Sequence, residues 1–176
     1  MRRASDVTAF SEFAEACAPS LYRTAYLMVG DHQLAQDLVQ EALVKTLLAW
    51  PRLHDHANLT AYTRRIVVTT SISWRRRRSF HERPSSHLPD TLDADPVEDL
   101  VTHDAVIAAL RTVPPRQRAA IVLRYYQDLT EAQTAEVMGC SVGAVKSQVS
   151  AGLQKLRKAL GQTLDETVPN EREVTS

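Results

Sequence analysis

Two cysteines in 176 residues, Cys17 and Cys140, are too few for a disulfide framework. Each stands at an apolar position of a helical pattern, so both read as small buried hydrophobes, with a redox-sensing thiol as the alternative. Five glycines form no phosphate-cradling loop, and no nucleophile motif is present. The six histidines (32, 54, 56, 81, 87 and 103) are scattered, and none makes a metal-ligand spacing with Cys or carboxylates. Neither metal nor cofactor is expected, and an enzyme is a distant reading. No apolar run approaches the roughly 20 residues of a membrane-spanning helix. The opening MRRASDVTAF has two arginines but no apolar stretch behind them. A signal peptide and membrane insertion are therefore not expected, and a cytoplasmic location is. Alternating strand patterns are missing throughout.

Net charge is also lacking, since 21 basic side chains balance 21 acidic ones. That balance at first argues against nucleic acid, but it conceals a pattern. Residues 1–78 carry eleven basic and seven acidic groups, whereas 79–113 carry two and seven. Residues 114–160 carry seven and three, and the tail 161–176 one and four. Two basic blocks alternate with two acidic ones, which says more about partners than the total does. With 44% hydrophobic and 24% charged residues, the composition is that of a globular protein.

Helical periodicity fills most of the chain. Phe10, Phe13, Ala14, Cys17, Leu21, Ala25 and Met28 share one face of a helix over residues 8–29, which Pro19 is expected to kink or split. Gly30 ends it and Asp31 caps the next helix, 31–50. There Leu34, Leu38, Ala42, Leu43, Leu47 and Trp50 form a broad apolar face, and Pro51 stops the run. A loop over 52–60 and a third helix over about 59–78 follow, ending in Arg75-Arg76-Arg77-Arg78. Residues 79–97, with three prolines and no apolar periodicity, read as an acidic, mobile linker. Helical pattern resumes at 98–112, and Pro114-Pro115 opens a segment running to about Gln127. The fold expected is all-α, with a domain over 1–78, the linker, a second domain over 98–162 and an acidic tail over 163–176.

The most legible stretch is 130–160. Thr130 with Gln133 makes a capping box for a short helix, 131–138; Gly139 ends it, and Ser141 caps a second helix. That helix sets Val142, Val145, Val149, Leu153, Leu156 and Leu160 on its inner side. Short helix, glycine turn and longer helix make a helix-turn-helix, whose second helix enters the DNA major groove by its first turns. Gly143, Ala144, Lys146, Ser147 and Ser150 point outward there, with Gln148 on the flank. Small residues allow close approach, and Lys146, Ser147 and Gln148 can donate to bases or phosphates. Lys155, Arg157 and Lys158 extend a basic edge. An ordinary helical hairpin with a solvated face would share the periodicity; the agreement of caps, turn and charge favours DNA.

The second helix of the chain carries more apolar surface than one core uses. Val44 and Leu48 fall beside Asp37, Gln40 and Glu41, on a stripe opposite Leu38 and Ala42. A mixed apolar and acidic outward face suggests docking onto a protein. The run Ala35-Gln36-Asp37-Leu38-Val39-Gln40-Glu41-Ala42-Leu43, then Trp50-Pro51-Arg52-Leu53, resembles region 2 of the extracytoplasmic-function (ECF) sigma factors of bacteria. Pro115-Arg116-Gln117-Arg118, Leu123-Arg124-Tyr125, Leu129-Thr130, Gly139-Cys140-Ser141-Val142-Gly143 and Val145-Lys146-Ser147 resemble their region 4. The resemblance covers about residues 8–160 and is nearest the actinobacterial sigma-E-like branch.

The resemblance implies a transcription initiation factor with two partners, core RNA polymerase and promoter DNA. Asp37, Gln40, Glu41, Val44 and Leu48 would dock on the β′ clamp helices, and a second contact with the polymerase β flap is implied. Residues 54–60 and the third helix would recognise and open the −10 element, through Asn58, Arg64, Arg65, Thr69, Arg75 and Arg76. A loop can receive a flipped base and arginines can hold strand phosphates. Tyr62 and Trp74 either stack on bases or pack in the core. Arg124, Ser141, Gly143, Ala144, Lys146, Ser147, Gln148, Ser150 and Lys155 would serve the −35 element, read largely through backbone contacts and DNA shape. The chain departs from many relatives in having Gln148, Ser150, Ala151 and Gly152 where basic or aromatic residues are frequent, and Leu47 where an aromatic is. An anti-sigma protein is common for the family. The competing reading is a stand-alone helix-turn-helix regulator that binds duplex DNA without polymerase.

Overall fold

The computed structural model describes the backbone of residues 2–53, 56–78 and 97–167, with side chains over 7–53, 59–74 and 104–161. Among the described residues every regular element is helical. Helix α1 (Arg2–Val29) is continuous through Pro19 and is not split there. Pro19 has no N–H for the Glu15 carbonyl, but both residues are exposed, so water can serve the freed acceptor. On the opposite face Cys17, Leu21 and Ala25 are buried and hold the two halves in one line.

Gly30, at φ +70°, ends α1 in the left-handed region that glycine enters without penalty. The next residue starts α2 (His32–Ala49), because Asp31 Oδ1 accepts the Leu34 N–H at 2.8 Å. Pro51 closes α2 in a single 3-10 turn (Trp50–Arg52). The Trp50 indole meets the Phe10 ring edge-on at 5.2 Å and Phe13 at 5.6 Å, tying the end of α2 to the start of α1. Helix α3 (His56–Arg78) begins earlier than expected, so Asn58 lies in a first helical turn and not in a loop. Leu59 is already buried within the helix, and its carbonyl accepts the Thr63 hydroxyl at 2.8 Å. Further along α3, the Thr63 and Thr46 hydroxyls meet at 2.9 Å and join it to α2.

The second helical unit opens with α4 (Val97–Thr112), followed by α5 (Pro115–Ile121), where proline takes the first helical position. The segment to Gln127 is not one uniform helix. At Val122 it widens into a π-helical turn (Val122–Tyr126) in which the Gln127 N–H bonds the Val122 carbonyl at 3.0 Å. Asp128, at φ +51°, turns the chain back toward α6. Helices α6 (Glu131–Met138) and α7 (Val142–Thr167) complete the unit, and α7 runs past the expected boundary at 162. The expected linker, apart from Val97, and the tail beyond Thr167 lie outside the described residues.

The two units are joined by one apolar core. Leu21, Met28 and Val68 of the first cluster with Ala119, Val122, Leu123 and Met138 of the second. Helices α4 and α5 lie on α1, while α5 and α6 lie on α3. Cys17 is buried as expected, whereas Cys140 is only half-buried, because the tight turn it occupies leaves one side open.

Candidate nucleic-acid and protein interfaces

The helix-turn-helix forms as its residues require. Thr130 accepts the Gln133 N–H at 3.2 Å, and the Gln133 side chain accepts the Thr130 N–H at 2.8 Å, so two orphan donors at the start of α6 are satisfied reciprocally. Gly139, at φ +62°, supplies the left-handed turn. The Ser141 hydroxyl accepts the Ala144 N–H at 3.1 Å and caps α7. With Val145 fully buried, the first turns of α7 project Gly143, Lys146, Ser147 and Ser150 into solvent. Ala144 and Gln148 are half-buried on the flanks, and Lys155 is exposed further along.

Val142 departs from its expected inner position, at 39% exposure. It stands at the first helical position, before α7 has met α5 and α6, so no neighbour covers it. Gly152, expected only as a departure from the family pattern, is buried against α5.

One guanidinium nitrogen of Arg124, Nη1, donates to the Leu129 carbonyl, fixing the π-helical turn against the start of α6. Beside it opens a cleft of about 350 Å³, lined by Arg124, Tyr125, Glu131, Lys146, Ser150 and Arg157 among others. Three cations around one open groove suit a phosphodiester backbone. Across the cleft mouth Lys146 Nζ pairs with a Glu131 carboxylate oxygen at 3.5 Å.

On α2 the docking stripe is exposed. Leu48 is 76% and Val44 56% exposed, with Asp37 and Gln40 exposed and Glu41 half-buried beside them. Leu47 joins this surface at 44% exposure instead of turning to the core as its periodicity predicts. The core side at this level is filled by fully buried Thr46, whose hydroxyl bonds the Ala42 carbonyl at 2.9 Å. The acidic groups are held on the helix by their own neighbours: Glu41 pairs with Lys45 at 2.6 Å, and Asp37 accepts from Gln33 at 3.2 Å.

Helix α3 brings Arg64, Arg65 and Thr69 onto adjoining faces. Arg65 and Thr69 are exposed. Arg64 is half-buried, and burial pushes its pKa below the usual arginine value. Thr69 donates to the Arg65 carbonyl at 2.8 Å. Trp74 is half-buried with one side packed against the core, and Tyr62 is half-buried. The side chains of Asn58, Arg75 and Arg76 lie outside the described residues, although the backbone of all three is helical.

Two relationships escape sequence reading. Tyr22 OH bonds His32 Nδ1 at 2.6 Å while Tyr26 stacks on the same imidazole at 4.3 Å. Arg118 is wholly buried between the two units. Both join residues on different helices, and no local spacing signals them. Among the described residues no group of His, Cys, Asp or Glu could hold a metal ion, and no helix is long and apolar enough to cross a membrane.

Comparison with known proteins agrees with this geometry. Residues 13–81 match the model of sigma-70 region 2, and residues 103–156 that of sigma-70 region 4. The chain is 34% identical over 155 residues to an RNA polymerase sigma-E factor of Streptomyces avermitilis, covering 88% of this chain and 87% of the relative. It is 33% identical over the same length to the sigma-E factor of Streptomyces coelicolor, covering 88% of each. Against the ECF RNA polymerase sigma factor SigE of Mycolicibacterium smegmatis, identity is 28% over 90% of this chain and 64% of the relative. In fold it is similar to the sigma factor RpoE of Bartonella quintana, solved in complex with the anti-sigma factor NepR. That likeness has a TM-score of 0.68 at 23% identity over 87% of this chain and 97% of the other. The chain belongs to the sigma-70 family of RNA polymerase sigma factors, within its ECF group.

Proposed function

We infer that this protein is a transcription initiation factor that binds core RNA polymerase and directs it to promoters through the −35 and −10 elements. One observation carries the reading beyond DNA binding in general. The same chain holds a helix-turn-helix with a polar, exposed reading helix and, on a separate unit, the exposed apolar and acidic face of α2. A stand-alone regulator needs only the first.

The division of labour follows from position. Asp37, Gln40, Glu41, Val44 and Leu48 dock on the β′ clamp helices. There the two aliphatic side chains supply the apolar area and the carboxylates set register and repel wrong partners. Ser141, Gly143, Ala144, Lys146, Ser147, Gln148 and Ser150 face the −35 duplex, with Arg124 and Lys155 toward its phosphates. Arg64, Arg65, Thr69, Arg75 and Arg76 hold the −10 strand, and Asn58, at the first turn of α3, meets an unstacked base. Region 4 also contacts the polymerase β flap. The protein catalyses no reaction of its own and works in the cytoplasm, where polymerase is. An anti-sigma protein would act by covering these same faces.

Transcription reconstituted from purified core polymerase tests this reading. Addition of the chain is expected to start transcripts at discrete promoters that core alone ignores. Footprints on duplex DNA that are unchanged by polymerase, with no start sites, would establish the stand-alone regulator instead.

A further inference from the structure

The cleft of the second unit carries one charge of the opposite sign. Arg124, Lys146 and Arg157 suit a phosphodiester backbone, yet Glu131 lines the same cleft, with a carboxylate oxygen 3.5 Å from Lys146 Nζ. A groove that served phosphates alone would gain nothing from a carboxylate, because like charges brought together weaken binding. Glu131 also serves α6 itself, since an acid in the first turn complements the helix dipole. That use does not require it to reach across to α7.

Both ends of the ion pair are set by rigid backbone. The reciprocal caps of Thr130 and Gln133 fix the first turn of α6, where Glu131 stands. On the other helix Val145 is fully buried and the Ser141 hydroxyl holds the Ala144 N–H, which sets where Lys146 leaves α7. The pair therefore spans the two helices of the helix-turn-helix. An ammonium has three donors. With its side chain 63% exposed, and that of Glu131 40%, Lys146 remains open to a second partner on DNA.

Charge decides which partner that is. A lysine at a major groove can take a phosphate, which is the same in every sequence, or the N7 and O6 acceptors of guanine. A phosphate on Lys146 would lie beside the Glu131 carboxylate and be repelled by it. The guanine edge carries no net charge and offers two acceptors side by side, so it shares the ammonium with the carboxylate without that repulsion.

We propose that Glu131 is a positioning residue for promoter specificity: through its ion pair it turns Lys146 from a general phosphate contact into the reader of one guanine in the −35 duplex. This rests on the functional reading above and adds a residue of α6 that the reading leaves out. The pair brings no net charge to the interface, so discrimination between sequences rises while affinity for DNA in general falls.

The test selects duplexes from a random-sequence pool with the full chain bound to core polymerase. The selected upstream duplex is then titrated with 7-deazaguanine, which lacks the N7 acceptor, at each guanine in turn. The unaltered chain should lose about fivefold in affinity at one guanine. Glu131→Gln should lose that response and bind unselected duplex roughly tenfold more tightly at about 0.1 M salt, with a salt dependence steeper by about one phosphate contact. Lys146→Ala should lose the same response and flatten the salt dependence, because it leaves Glu131 unbalanced; adding Glu131→Gln to it should restore the slope and not the response. Glu136→Gln removes the same charge from an exposed position on α6 outside the cleft and should leave the guanine response intact.

Glu131 takes no part in the caps, so its glutamine variant should fold as the parent does. A Glu131→Gln chain that keeps the guanine response, or loses affinity uniformly with an unchanged salt slope, overturns the proposal and leaves Glu131 as a helix-dipole acid. Equal loss of the response in Glu136→Gln overturns it as well. If the chain enriches a duplex only without core polymerase, the initiation-factor reading fails and the same comparison decides the role of Glu131 on the chain alone. Enrichment by neither overturns both.

Discussion

Gly152 of α7 lies so close to Ile121 of α5 that a Cβ added to it would stand 2.7 Å from Ile121 Cδ1 and 3.2 Å from the Gln117 carbonyl oxygen. The missing side chain lets α7 pack closely on α5 at this point. Overpacking costs about 1–3 kcal/mol, whereas alanine in place of glycine inside a helix returns about 1 kcal/mol. Gly152→Ala should therefore lower stability only slightly, and Gly152→Leu much more, with loss of −35 duplex binding. Thermal unfolding and a binding titration check both; a stabilised leucine variant would show that α5 and α7 do not meet here.

The α2 face makes a separate prediction. Reversing charge at Asp37 and Glu41 should abolish copurification with core polymerase while far-ultraviolet circular dichroism stays unchanged. Exposed helix pairs such as Glu41–Lys45 contribute about 0.3–0.5 kcal/mol, so folding should survive their loss. A folded double mutant that binds core normally would remove α2 from the interface.

The two DNA-reading elements should fail at different steps. Lys146→Ala with Ser147→Ala is expected to weaken upstream duplex binding and to flatten its salt dependence by about one phosphate contact. Asn58→Ala should leave that binding intact and lose permanganate reactivity of the −10 strand. If both variants stop at the same step, the assignment of Asn58 to strand opening is wrong.

Alkaline pH should destabilise the protein. Burial pushes the Cys17 thiol up, and it raises the Tyr22 and Tyr26 phenols, with Asp31 adding at Tyr22 and Asp104 at Tyr26. A pKa raised in the fold means that the folded state holds its proton longer than the unfolded chain does. Stability from these groups is complete below the unfolded values and is lost as pH rises through the folded ones. Denaturation midpoints should stay level near neutrality and fall from about pH 8.5, where a free thiol titrates, through about 10 for the phenols. Cys17→Ala should delay the onset of the fall. A midpoint that climbs over this range contradicts the sign.

What the sequence determined by itself is local in origin. The capping box at Thr130 and Gln133, the left-handed turn at Gly139 and the aspartate cap at Asp31 are each decided within four residues, so the helix-turn-helix and the start of α2 were legible as written. The exposed face of α2 was legible too, because its stripe of Val44 and Leu48 lies opposite the core residues Leu38 and Ala42. Only the tertiary structure decided the rest. Pro19 interrupts a helix in isolation, yet burial of Cys17 and Leu21 on the far side keeps α1 whole. Leu47 satisfies the apolar period but is exposed, because Thr46 occupies the core at that level. Val142 has the right period and the wrong place, one turn before any neighbour reaches it. Arg118 is the clearest case. In the sequence it is one more cation in a basic block, and it becomes a buried tie only when the Met28 carbonyl, ninety residues away, arrives at 2.7 Å. Contacts between distant segments depend on how helices are set against one another, and periodicity within one helix carries no record of that.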